Sequence, residues 1–99
     1  MPEEQQPFRL PRAKFATGQL IIAPNALRLL GMEQIADALT RHAQGDWGEV
    51  SEADRQANED ALRDGNRLLS VYRADNGTKF YIITEGDRSL TTILLPEEY

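Results

Sequence analysis

The chain has 99 residues, 40% of them hydrophobic and 27% charged, with 11 Lys and Arg against 16 Asp and Glu for a net charge of -5. That length fits a single domain, and the negative balance repels a phosphate backbone, which argues against sequence-nonspecific nucleic-acid binding. With no cysteine and a single histidine, a disulfide framework, a thiolate nucleophile and the usual zinc ligand sets are excluded.

Residues 1–12 are polar and carry Pro2, Pro7 and Pro11 without periodicity. They are expected to form a flexible arm ahead of one folded domain over 13–99. The start lacks the basic residues and apolar stretch of a signal peptide, and no apolar run approaches the ~20 residues that span a bilayer. A cytoplasmic protein without a membrane role is the expectation.

Residues 18–23, Gly-Gln-Leu-Ile-Ile-Ala, read as a largely buried strand stopped by Pro24, which is well placed to start a helix. The helix over 25–30 is expected to turn Ala26, Leu27, Leu29 and Leu30 inward and to stop at Gly31. A second helix over 33–43 presents Ile35 and Leu39 with Ala36 or Ala43 as one apolar stripe. Ser51 with Asp54 three residues on has the form of a capping box. It starts a third helix, to about Asp64, that buries Ala57, Ala61 and Leu62 and keeps Glu52, Asp54, Glu59, Asp60 and Asp64 outside.

From Arg67 the period changes to alternation, with Leu69 and Val71 on one side and Leu68, Ser70 and Tyr72 on the other. Asp75-Asn76-Gly77 is a hairpin turn, because Asn and Gly tolerate positive φ. A second turn at 85–88 leads to a last strand ended by Pro96. The fold class is therefore α+β, with a short N-terminal strand and three helices packed on a three-stranded antiparallel meander at 67–74, 79–84 and 89–95. Both faces of that meander carry apolar side chains, and such two-sided strands suggest either helices on both faces or an exposed patch used in association, as a homodimer or partner surface.

Two groups of residues carry the types needed for chemistry. Arg41, His42, Asp46 and Trp47 lie within seven positions at the end of the second helix. Either His42 is a general acid or base oriented by Asp46, or it is a helix-terminal histidine favoured by the dipole beside a core-filling Trp47. The structural reading is the preferred one. Around the second turn, Glu85 and Arg88 with Thr91 would join His42 in a metal-independent ribonuclease of the small toxin type. The bland alternative is a turn held by Glu85–Arg88 or Asp87–Arg88 pairing. No recognised metal-loop spacing includes Asp46 and Glu49, and no phosphate-cradling glycine loop or cofactor motif is present.

The run Gly18-Gln19 into Pro24-Asn25-Ala26-Leu27, then Arg41-His42 with Gly45-Asp46-Trp47-Gly48, then Asp54, Asn58 and Gly65, then Ile83-Thr84-Glu85, Asp87-Arg88-Ser89 and 91–99 resembles a family of small bacterial proteins. That family is carried by plasmids, integrative elements and prophages, and its members are labelled plasmid-related, hypothetical or, by gene neighbourhood, subunits of a type I restriction enzyme. Gly86 stands where the family pattern has alanine, and Phe80-Tyr81 replaces a tryptophan-containing pair. The resemblance implies a mobile-element setting more than an activity. The expected function is a non-enzymatic accessory protein, without a cofactor, that binds and inhibits a host defence protein complex such as a CRISPR effector or a restriction system. Glu52, Asp54, Glu59, Asp60 and Asp64, mimicking phosphate spacing, and Glu97 and Glu98 are the expected contacts. Alternatives are the ribonuclease and a structural homodimer of a conjugation or plasmid system.

Overall fold

The computed structural model describes residues 10–99, so the expected arm at 1–12 lies mostly outside the described residues. Within its described end, Leu10 packs half-buried against the core, and the Pro11 carbonyl accepts a hydrogen bond from the Gln44 side chain at 3.0 Å.

The elements follow in the order β1 (Gln19–Ile22), α1 (Pro24–Leu30), α2 (Met32–Ala43), α3 (Glu52–Asp64), β2 (Leu68–Arg73), β3 (Lys79–Thr84), β4 (Leu90–Leu94) and a 3₁₀ turn at Pro96–Glu98. The α+β class is as expected. The sheet is larger than the meander, however: β1 adds to β4 in parallel, giving the mixed order β1-β4-β3-β2. Gly18 permits this approach, since its φ is 65° and a Cβ there would lie 2.3 Å from the Ser89 carbonyl.

Strand alternation divides the sheet sharply. Leu68, Phe80, Ile82, Ile93 and Leu95 turn to one face and are almost wholly buried beneath the helices. Two apolar clusters lie there, one joining α1 and α2 to Tyr72, Phe80 and Ile93, the other built from Phe15, Trp47, Ala61 and Leu68. The opposite face carries Leu69, Val71, Tyr81, Ile83, Leu90 and Leu94, of which Leu69, Tyr81 and Leu90 remain half-exposed.

Several burial expectations need correction. Strand β1 is an exposed edge and not a buried strand, with Leu20 46% and Ile21 43% exposed. In α1 only Ala26 and Leu30 are buried, while Leu27 and Leu29 face outward, because a seven-residue helix with apolar groups all round presents only one stripe to the core. Helix α2, by contrast, buries the expected stripe of Ile35, Leu39 and Ala43, with Ala38 added and Ala36 exposed. Helix α3 buries Asn58 and Ala61, with Ala57 exposed and Leu62 intermediate.

Asn58 closes the far edge of the sheet. Its amide donates to the Leu69 carbonyl at 2.8 Å and accepts from the Leu69 N–H at 3.0 Å. The next outward-facing residue, Val71, is closed by backbone, donating to Trp47 O at 3.0 Å and accepting from Glu49 N at 2.7 Å. Gly48 makes this contact possible, since a Cβ there would lie 2.0 Å from Val71 O. Asn58→Leu strips both partners from Leu69 and should cost about 1–3 kcal/mol. Urea denaturation measures it, and an unchanged midpoint would show that water replaces the amide.

Candidate functional site

The residue types capable of chemistry converge on His42, whose side chain is 0% exposed. It rises from the last turn of α2 onto the inner sheet face, with Phe15 edge-on at 5.2 Å and Trp47 at 5.8 Å between ring centroids. Its Nδ1 lies 2.6 Å from Ser70 Oγ and its Nε2 2.9 Å from Thr84 Oγ1. Thr84 Oγ1 is 2.7 Å from Thr91 Oγ1, and Thr91 donates to the Thr17 carbonyl at 2.7 Å.

The far end of this chain sets its direction. A carbonyl only accepts, so Thr91 spends its one hydroxyl proton on Thr17, and Thr84 must donate to Thr91. The Thr84 oxygen is then free to accept from His42 Nε2–H. Burial favours the neutral ring, whose Nδ1 then accepts from the Ser70 hydroxyl. The same burial pushes the imidazole pKa from 6.5 down to about 3, with a smaller contribution from the Arg88 charge. Desolvation opposes the charged ring that a helix-end attraction would favour, while Trp47 fills the core beside it at 3% exposed.

Asp46 does not orient His42. It pairs with Arg41 at 2.8 Å, and that hydrogen bond holds its carboxyl below the usual carboxylate range. Arg41 in turn lies 4.7 Å over the Tyr72 ring, and the Tyr72 hydroxyl donates to Asp46 O. Together these contacts fix the turn that delivers Trp47, whose ring stacks on Phe15 and whose Nε1–H donates to Glu59 at 2.9 Å.

Arg88 is also turned inward. Its guanidinium donates to Ala61 O at 3.0 Å and Asn66 O at 2.6 Å, ending α3, and to Glu85 O at 3.1 Å. The expected Glu85–Arg88 and Asp87–Arg88 pairs are replaced: Glu85 lies 3.6 Å from Arg67, and Asp87 accepts from the Ser89 hydroxyl at 2.6 Å. His42, Thr91 and Arg88 are therefore brought to one region, as the ribonuclease reading requires, but His42 and Thr91 are fully buried and present no face to a substrate. Among the described residues no group of three or more His, Asp or Glu is placed to hold a metal ion.

The acidic candidates divide into three kinds. Glu59 anchors Trp47. Glu98 is a cap, accepting from Asn25 N at 2.8 Å and Leu95 N at 3.0 Å. Glu52 pairs with Arg55, and Asp60 and Asp64 lie 3.5 and 3.0 Å from Arg63, so α3 is less uniformly negative than its carboxylates suggest. Asp54 and Glu97 are exposed.

Sequence reasoning did not assign a concavity on the open sheet face. A groove of about 320 Å³ is floored by Leu69, Val71 and Tyr81 and walled by Glu49, Val50, Ser51, Asp54, Lys79 and Tyr99. Tyr99 meets Tyr81 edge-on at 6.0 Å and accepts from Arg67 at 3.1 Å.

Family models, curated proteins and solved structures give no match to this chain.

Asp54 belongs both to the acidic helix and to the groove wall, where Glu49 and the Lys79 cation also adjoin the apolar floor.

Proposed function

We propose that the chain is a non-enzymatic accessory protein of mobile genetic elements that binds and inhibits a host defence complex, a CRISPR effector or a restriction system, through its open sheet face and the adjoining acidic helix. One observation carries the reading. His42, Thr84 and Thr91 are buried and Arg88 is spent on backbone carbonyls, whereas the sheet face opposite the helices leaves a groove with an apolar floor and Glu49, Asp54 and Lys79 on its walls. The mobile-element setting rests on the sequence resemblance. Burial of His42 weighs against the ribonuclease.

The test adds the purified chain to purified CRISPR effectors and restriction complexes and reads binding and cleavage of their target DNA. Inhibition of one complex is expected, weakened at least tenfold by Leu69→Glu with Tyr81→Glu in a folded variant. Charge reversal of Glu52, Asp54, Asp60 and Asp64 should also weaken it. Full inhibition by the reversed helix would remove phosphate mimicry and leave the groove, while a panel of complexes all untouched would overturn the function.

A further inference from the structure

We infer that β1 pairs with β1 of a second copy of this chain, in antiparallel register about Ile21, to make a continuous eight-stranded sheet. The two sheet edges are treated oppositely. On β2 the outward backbone groups of Leu69 and Val71 are closed by Asn58 and by residues 47–49. On β1, Gln19 and Ala23 donate inward to Ser89 and Ile93 at 3.0 and 2.9 Å. Alternation therefore turns the N–H and C=O of Leu20 and Ile22 away from β4, and β4 is the only strand paired with β1 among the described residues. An edge left open by the described residues in this way is a template for another strand.

The chemistry of the edge selects a second copy as the occupant. Gln19-Leu20-Ile21-Ile22 carries no charge in a chain of net charge -5, so two copies meet here without opposing like charges. A two-fold axis through Ile21 sets Leu20 opposite Ile22 of the other copy, and each such pair exchanges two hydrogen bonds. Ile21 then faces Ile21 across a non-hydrogen-bonded position, where side chains approach most closely. The exposed Leu20 and Ile21 are covered in the same step. This inference is independent of which host complex the chain binds.

Light scattering after size exclusion, on the full chain between roughly 1 and 100 µM, tests it, since an edge this short makes a small interface. A concentration-dependent dimer is expected. Leu20→Pro removes an outward N–H and none that β4 uses, so it should give a folded monomer by circular dichroism. Ile21→Lys and Ile21→Glu should each be monomeric, and their mixture should form a heterodimer. A wild-type monomer throughout this range overturns the inference, and its conversion to a dimer on deleting residues 1–9 would assign the edge to the chain's own N-terminus. A dimer that survives Leu20→Pro places the interface elsewhere and overturns it equally.

Discussion

Lowering the pH from 6.5 to about 4.5 is expected to remove about 2 kcal/mol of stability through His42 alone. The folded pKa of about 3 lies below the unfolded value of 6.5, so the unfolded chain binds the proton first. Stability is complete above 6.5 and falls as pH drops towards 3, with a limiting slope of about 1.4 kcal/mol per pH unit. A proton on Nδ1 would have to donate to Ser70, whose own hydroxyl proton then loses its acceptor. Asp46 and Asp87 also titrate below their ordinary value of 3.8, so their losses enter only below about pH 4 and overlap the last part of the His42 loss, leaving the upper part to His42. Across the whole range His42 accounts for roughly 5 kcal/mol, comparable with the stability of a small domain. Urea titrations at a series of pH values measure the effect. In His42→Gln, which retains a donor towards Thr84, the slope between pH 6.5 and 4.5 should vanish. An equal slope in both proteins would assign the loss to carboxylates.

Removal of the Trp47 side chain should cost about 3–5 kcal/mol, the range for truncating a buried large aromatic. The ring is 3% exposed and joins three elements: Phe15 ahead of the sheet, His42 on α2 and Glu59 on α3. Trp47→Ala therefore opens a cavity and frees α3 from the loop at once. Glu59→Ala separates the terms, because it leaves the ring in place and strips the acceptor from its N–H, for about 1–3 kcal/mol. Glu59→Gln keeps an acceptor and should be near neutral. Trp47 is the only tryptophan, so in the Glu59 variants its fluorescence follows unfolding directly, while Trp47→Ala is followed by circular dichroism. A loss for Trp47→Ala below about 1 kcal/mol would mean that the second cluster repacks freely.

Local signals in the sequence translated well into local structure. Asp75-Asn76-Gly77 turns β2 into β3, with Gly77 at φ 88°, and Ser51 Oγ accepts from Asp54 N at 3.0 Å to start α3. Pairing at long range was not legible. The run Leu20-Ile21-Ile22 has the composition of a buried strand, and only the position of β1 beside β4 makes it an edge. Asn58 is invisible in the same way, since its role depends on Leu69 arriving beside it. The His42 site left a trace that was readable in principle: strand alternation sets Ser70 between Leu68 and Tyr72, Thr84 after Phe80 and Ile82, and Thr91 before Ile93. Polar residues at inward positions need a buried partner, and the single histidine is the side chain suited to join two of them.

The parallel register that ties Gln19 to Leu90 also bears on the order in which the chain acquires its structure. The meander closes through short turns, and α3 reaches β2 through a short connection. Docking β1 on β4 must instead close a loop containing nearly the whole domain, the most entropically demanding step in the topology. This strand is therefore the natural last arrival on the folding pathway and the first to depart. Substitutions within it will act mainly by accelerating unfolding, leaving the rate of folding close to that of the parent chain.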